Sequence, residues 1–251
     1  MIGNLKMSFS IYTHITLPEH LSAYSTTSTQ PENGVFLCYD EHGLSLHKVG
    51  EKGSVQVDFA SGAAQYRRTK GGGELIGKAV NHTSKPIVWD TTGGLGRDSF
   101  VLASLGLCVR TFEQNPAVFA LLSDGIYRAQ MQPETAEIVS RITLIQGNAA
   151  NLLHTHAHEY GKPDVVYLDP MYPERQKSSA VKKEMAYFHD LVGLSAQADD
   201  AALFQAARRV AKKRIVVKRP RLGEYLCGEQ PAYQYAGKST RFDVYLPFQA
   251  A

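Results

Sequence analysis

From Pro86 to Pro220 the chain alternates short apolar runs with longer helix-forming stretches, and this alternation restricts its fold more than any other feature. The runs PIVWD, LCVRTFE, RITLIQGN, DVVYLD and RIVVKRP have strand length and begin at residues 86, 107, 141, 164 and 214. Between them, RDSFVLASLG reads as a helix stopped at Gly106, and NPAVFALLSDGIYRAQ as a helix capped by Asn115 ahead of Pro116. DDAALFQAARRVAKK reads as a third helix. Strands separated by helices pair side by side in parallel, with the helices covering both faces. The tail, PAYQYAGKSTRFDVYLPF, breaks the rhythm and reads as an antiparallel hairpin turning near Gly237. The expected fold class is therefore α/β, a mostly parallel sheet with a C-terminal antiparallel hairpin.

The first 65 residues have another character. GVFLCYDEHGLSLHKV is two alternating runs about a turn at Asp40–Gly43, and SVQVDFA alternates again. Gly71, Gly72 and Gly73 then form a flexible joint before a helix over Glu74–Val80. The expected division is a small N-terminal β-rich domain, residues 1–65, and a second domain, residues 66–251. A hydrophobic content of 43% over 251 residues sustains one substantial core with such an appendage. No run of 18 apolar residues is present, and the N-terminus lacks the basic-then-apolar pattern of a secretory signal. Cys38, Cys108 and Cys227 are too scattered for a disulfide framework, so a cytoplasmic protein without a membrane partner is expected.

Two strand ends carry the chemistry. VWDTTGGLGRDSF places a glycine-rich turn between a strand and a helix, where backbone N–H groups meet a ligand. Gly94 and Gly96 nearly match a dinucleotide fingerprint. Asp90, Arg97 and Asp98 crowd that turn with charge, and carboxylates there favour a cationic adenosyl ligand over a pyrophosphate. Glu113 ends the next strand, where a carboxylate accepts ribose hydroxyls in nicotinamide and S-adenosylmethionine sites alike. The turn alone leaves hydride transfer and methyl transfer open.

The fourth strand ends in DPMYP. Asp169 and the Pro170 carbonyl can hold the hydrogens of a nucleobase amine, and Tyr172 offers a stacking face between two φ-locking prolines. A hydride-transfer enzyme has no use for that arrangement, so the catalytic candidates are Asp169, Pro170 and Tyr172, and methyl transfer is the expected reaction. An NAD-dependent oxidoreductase built on Gly94 and Gly96, and a non-catalytic RNA-binding module, are the competing readings.

LGRDSFVLASLG, VVYLDPMYPERQKSSAVKKEM and VVKRP resemble the ribosomal RNA small subunit methyltransferase J family. The resemblance implies a Rossmann-like S-adenosylmethionine-dependent methyltransferase fold, S-adenosyl-L-methionine as cofactor, and methylation of N2 of a guanosine in 16S ribosomal RNA. It also implies that Arg97, Asp98, Glu113, Gln114, Asn148, Ala149 and Asp169 line the cofactor site. Thr91 and Gly93 stand where the family usually has alanines, Gln114 where it has an arginine, and Asn148-Ala149 where it has two serines. The partner expected is 16S ribosomal RNA or the small ribosomal subunit. Net charge is only +3, yet residues 171–221 hold 12 basic against 5 acidic residues. Within that segment Arg175, Lys177, Lys182, Lys183, Lys218 and Arg219 are the candidate RNA contacts. Arg67, Arg68 and Lys70 near the glycines are further candidates. His154, His156 and His158 tempt a metal reading, but their spacing suits neither a loop nor a helix, and no metal is expected.

Overall fold

In a computed structural model the described residues are 9–61, 73–170, 187, 190, 191 and 197–248. The expected domain boundary at 65/66, the glycines at 71 and 72, and Arg67, Arg68 and Lys70 lie outside them. Strands β1 (Ser10–Thr13), β2 (Ser25–Thr27), β3 (Val35–Asp40), β4 (Gly43–Lys48) and β5 (Val55–Gln56) form a five-stranded sheet in the order β2-β1-β3-β4-β5. β3 and β4 are the hairpin expected from alternation, turning at Asp40–Gly43. β1 runs parallel to both its neighbours, which the sequence did not announce.

Helix α1 (Gly73–Val80) leads into β6 (Val88–Asp90), α2 (Arg97–Ser104), β7 (Val109–Glu113), α3 (Pro116–Gln130), α4 (Pro133–Val139), β8 (Ile142–Gln146), α5 (Ala149–Tyr160) and β9 (Val165–Leu168). After α6 (Gln197–Val210) come β10 (Arg214–Pro220), β11 (Tyr233–Ala236) and β12 (Thr240–Tyr245). The second sheet has the order β11-β12-β10-β9-β6-β7-β8, parallel from β10 to β8 and antiparallel at the terminal hairpin. Side chains alternate between its faces. Val88, Val109, Val165 and Val216 pack under α1 and α2. Trp89, Val166, Leu168, Ile215 and Val217 pack with Leu153 of α5 and Phe204 and Ala207 of α6. Asn115 caps α3 as expected, its side chain accepting from the Ala117 and Val118 N–H groups. The short α4, opened by Pro133, went unread because seven residues carry little periodicity.

The two sheets share a core. Ile11, Leu37, Leu44, Leu46, Val55 and Val57 pack with Ala117, Ala120 and Leu121 of α3. Gly125 makes the approach possible, since a Cβ there would lie 2.3 Å from a Val57 methyl. Asp124 pins the same seam while only 1% exposed. Its Oδ2 accepts from the Leu44 N–H at 2.9 Å and from Arg128 Nε at 2.8 Å, and His20 Nε2 lies 3.3 Å from its Oδ1. Replacing Asp124 with alanine leaves the Leu44 N–H without its acceptor and takes the carboxylate from the Arg128 guanidinium, which keeps the Val57 carbonyl. The expected loss is about 2 kcal/mol in urea unfolding at neutral pH. An unchanged midpoint would mean that the seam carries no stability.

The order of strands reverses at the β6/β9 pair, where open α/β sheets form their ligand crevice. Asp90 pairs with Tyr167 in register, and the Thr91 N–H and hydroxyl both donate to the Tyr167 carbonyl, at 3.0 and 2.9 Å. The glycine turn and the end of β9 therefore sit side by side.

Candidate active site

β6 ends in a buried acid. Asp90 is 1% exposed; its Oδ2 accepts from Ser99 Oγ at 2.5 Å and its Oδ1 from the Thr92 N–H at 3.1 Å. Burial outweighs these hydrogen bonds and pushes its pKa up to about 7, with Asp98 and Asp169 adding to the rise. The turn that follows needs two left-handed residues, Gly94 (φ +52°) and Gly96 (φ +71°). They differ in role. Gly94 lines the cavity and its N–H donates to Glu113 Oε2 at 2.8 Å. Gly96 does not line it: a Cβ there would stand 2.5 Å from Leu122 Cδ1, so this glycine seats the turn on the core. The expectation that Gly96 touches the cofactor gives way to that packing role.

Glu113, at the end of β7, is oriented by backbone donors that include the Gly94 N–H at 2.8 Å and the Asn115 N–H at 2.7 Å, and burial raises its pKa. The carboxylate keeps acceptor capacity for a further donor. Gln114 and Asn148 face each other, Asn148 Nδ2 donating to Gln114 Oε1 at 2.9 Å, with Ala149 beside them.

Asp169 follows β9. Its N–H donates to Thr92 Oγ1 at 2.7 Å, which ties the β9 end to the glycine turn. Lys218, on neighbouring β10, donates to Asp169 Oδ2 at 2.8 Å and to Asp98 Oδ2 at 2.7 Å, and the Tyr167 hydroxyl donates to Asp98 Oδ2 at 2.7 Å. Desolvation pushes the Asp169 pKa up, Lys218 pulls it down and Asp98 pushes it up again; the net shift is upward. For Lys218, desolvation favours the neutral amine, but its two carboxylates outweigh it and hold the ammonium.

These groups enclose a cavity of about 370 Å³, lined by Asp90, Thr91, Thr92, Gly93, Gly94, Leu95, Arg97 and Asp98 from β6, the turn and α2. Phe112, Glu113, Gln114, Asn148 and Ala149 line its far side, and Asp169, Pro170, Lys218 and the α6 residues Asp199, Asp200 and Leu203 complete it. Every expected cofactor residue except Gly96 borders this cavity. Thr92, Phe112, Leu203, Asp199 and Asp200 went unread, because their place depends on how α6 and the turn come together. Six carboxylates against two cations make the wall hostile to a pyrophosphate and hospitable to a cation, while Leu95, Phe112 and Leu203 offer apolar surface to a base. The donor set fits S-adenosylmethionine better than a dinucleotide.

The RNA expectation needs two corrections. Lys218 points into the cavity and spends its charge on two carboxylates, so it is no exposed phosphate contact. Arg219 points to the other face, is 6% exposed and donates through Nε to the Glu224 carbonyl at 3.0 Å. Neighbours on a strand face opposite ways, and each of these finds protein partners on its own side of the sheet. Tyr172, Arg175, Lys177, Lys182 and Lys183 lie outside the described residues. His154, His156 and His158 belong to α5, with His156 packed among Trp89, Phe112 and Tyr160. Among the described residues there is no metal-ligating group of three or more, and no helix is long and apolar enough to cross a membrane.

A family model described as a putative SAM-dependent methyltransferase matches residues 20–247, which include parts of both sheets. Ribosomal RNA small subunit methyltransferase J of Neisseria meningitidis serogroup C / serotype 2a is 68% identical over 221 residues, 88% of each chain. The protein of the same name from Marinobacter nauticus is 47% identical over 220 residues, 84% of this chain and 77% of that one. A crystal structure of a SAM-dependent methyltransferase from Neisseria gonorrhoeae matches with a TM-score of 0.82 at 56% identity, covering 96% of this chain and 97% of the other. With sequence, fold and cavity in agreement, the chain belongs to the ribosomal RNA small subunit methyltransferase J family of S-adenosylmethionine-dependent methyltransferases.

Proposed function

We propose that this cytoplasmic enzyme methylates N2 of a guanosine in 16S ribosomal RNA, presented as RNA or within the small ribosomal subunit. The observation that carries this reading is the direct hydrogen bond between the Asp169 N–H and Thr92 of the glycine turn, because it puts an acceptor for a base amine beside the cofactor turn. The choice of guanine comes from the family resemblance carried by the DPMYPERQKSS string, while the relatives' names point to small-subunit ribosomal RNA; the geometry serves any planar exocyclic amine.

The cofactor, when bound, supplies an electrophilic methyl group on a sulfonium sulfur. Glu113 and the Gln114–Asn148 pair would hold its adenosine end, and Asp90, Arg97 and Asp98 its charged end. The guanine amine is a poor nucleophile because its lone pair is delocalised into the ring. Asp169 and the Pro170 carbonyl accept its two N–H groups and aim the lone pair at the methyl carbon. As the N–C bond forms, the bond from that carbon to sulfur breaks with its electron pair going to sulfur, the nitrogen becomes more acidic, and the Asp169 carboxylate accepts the proton it releases. Sequence-specific reading of RNA requires an unstacked base, so the guanosine enters the cavity flipped from its neighbours.

Mass spectrometry of nucleosides after incubation with isotopically labelled S-adenosylmethionine and 16S ribosomal RNA or small subunits tests the proposal. N2-methylguanosine is expected; a labelled N6-methyladenosine, or no label in RNA, would refute it.

Asp90 makes binding depend on pH. Its pKa near 7 means that the folded protein carries a proton there above the ordinary carboxylate range, so its contribution to stability declines as pH rises towards 7. A sulfonium nearby favours the ionised form. Affinity for S-adenosylmethionine is therefore expected to rise by up to about tenfold from pH 6 to pH 8, with a proton released on binding. S-adenosylhomocysteine, which lacks the sulfonium charge, should respond less. Calorimetry in buffers of different ionisation enthalpy measures both, and equal pH responses would remove Asp90 from the cationic subsite.

A further inference from the structure

Beyond β10, at the same edge of the sheet as Asp169 and Lys218, the chain turns and displays a leucine to solvent. Leu222 is 94% exposed, the most exposed large apolar side chain among the described residues. It stands four residues past Lys218, at most roughly 13 Å along the chain at strand rise. Isolated surface leucines are ordinary, but this one is held in place. The Gly223 N–H closes the turn on the Pro220 carbonyl at 2.9 Å. Arg241, only 6% exposed, donates through Nη1 to the carbonyls of Arg221 and Gly223 at 2.9 and 2.7 Å. That guanidinium is fixed in turn by Asp243, at 2.8 Å through Nε and 3.0 Å through Nη2, and lies over the Tyr225 ring. A buried ion pair has been used to stiffen a three-residue turn whose outward product is a bare aliphatic side chain.

Two exposed cations, Arg221 and Lys238, and one exposed acid, Glu224, stand near Leu222. The Arg221 N–H donates to the Ser239 carbonyl at 2.9 Å, which brings the β11–β12 turn with Lys238 alongside. Arg221 and Lys238 are exposed, and neither has an ion-pair partner among the described residues. An apolar tip with two cations near it that lack ion-pair partners among the described residues, on the sheet edge that carries the proposed base site, suits a nucleic-acid strand whose stack has to be opened.

We propose that the turn Arg221–Gly223 is an RNA-engaging wedge: Leu222 fills the gap left in the stack by the flipped nucleotide, while Arg221 and Lys238 hold the flanking phosphates. This rests on the methyl-transfer reading above and adds the surface by which the RNA is opened.

Leu222→Ala, Leu222→Met and the Arg221→Ala/Lys238→Ala double variant test it in the full chain. Readouts are single-turnover methyl transfer to 16S ribosomal RNA and small subunits, and S-adenosylhomocysteine binding by calorimetry. L222A is expected to slow transfer about tenfold, and L222M, which keeps an apolar wedge, to stay within about twofold of wild type. The double variant is expected to raise KM and flatten the log–log salt dependence by about one unit per lost charge. A 2-aminopurine at the methylated position should brighten on binding wild type and less on binding L222A. All variants should bind S-adenosylhomocysteine as wild type does. L222A keeping pace with wild type, or slowing only in proportion to lost S-adenosylhomocysteine affinity, would overturn the wedge while leaving the methyl-transfer reading in place. A wild-type protein that transfers no label to any RNA would overturn both.

Discussion

Asp169→Ala is expected to lower the rate constant for methyl transfer by about 10²–10⁴-fold while leaving S-adenosylhomocysteine binding largely intact. The side chain has two duties in the proposed reaction, aligning the amine and receiving its proton, and alanine performs neither. The local fold should survive, because the link between the β9 end and the glycine turn runs through the Asp169 backbone N–H to Thr92 Oγ1. Asp169→Asn is the sharper test. Asp169 Oδ2 is occupied by the Lys218 ammonium at 2.8 Å. An amide at 169 would turn its oxygen to that ammonium and its NH2 into the cavity, donor against donor with the incoming amine. The asparagine variant should therefore be nearly as impaired as alanine. Single-turnover transfer of a labelled methyl group decides it. Asparagine within about tenfold of wild type would mean that neither accepting the amine N–H nor taking its proton at Asp169 carries the rate.

The residues legible from sequence were those whose position follows from local rules. Asp90, Glu113 and Asp169 end strands recognisable by their apolar runs, and a strand end in a parallel sheet is a defined place. Gly94 was legible because only a glycine takes a left-handed turn without strain, and the same rule misassigned Gly96. Both glycines have positive φ, but only the distance to Leu122 tells that one of them faces the core. The charge of Lys218 and Arg219 was misread for a related reason. Charge counts along a segment do not record which face of a strand a side chain occupies, nor that two acids from other elements are waiting for it. Thr92, Leu203 and the Asp199–Asp200 pair join the cavity through the long-range placement of α6 and the turn, of which their own neighbourhoods carry no mark. Period predicted β3–β4 and the terminal hairpin; the parallel pairing of β1 with β2 and β3 is tertiary, and nothing in SIYT or STT foretells it.

Lys218→Met carries the second large effect, and its direction separates two roles. The ammonium bridges Asp98 Oδ2 and Asp169 Oδ2 at 2.7 and 2.8 Å. Asp169 is already pushed up by desolvation and by Asp98, and Lys218 is the principal group opposing them. With methionine at 218 that opposition is gone, and the Asp169 pKa rises further, so its protonated form persists to higher pH. A protonated carboxyl cannot take the proton of the amine. Transfer at pH 7 is therefore expected to fall about hundredfold, and the acidic limb of the pH–rate profile to move to higher pH, so that part of the loss is recovered in alkaline buffer. Lys218→Arg keeps the charge and should keep the limb near its original place, with a smaller loss from altered geometry. Had Lys218 instead been a phosphate contact, its removal would raise KM and lower the salt slope by about one unit without moving the pH limb. Measuring kcat, KM, salt dependence and pH profile on the same variant distinguishes the two outcomes, and an unmoved limb would end the positioning role.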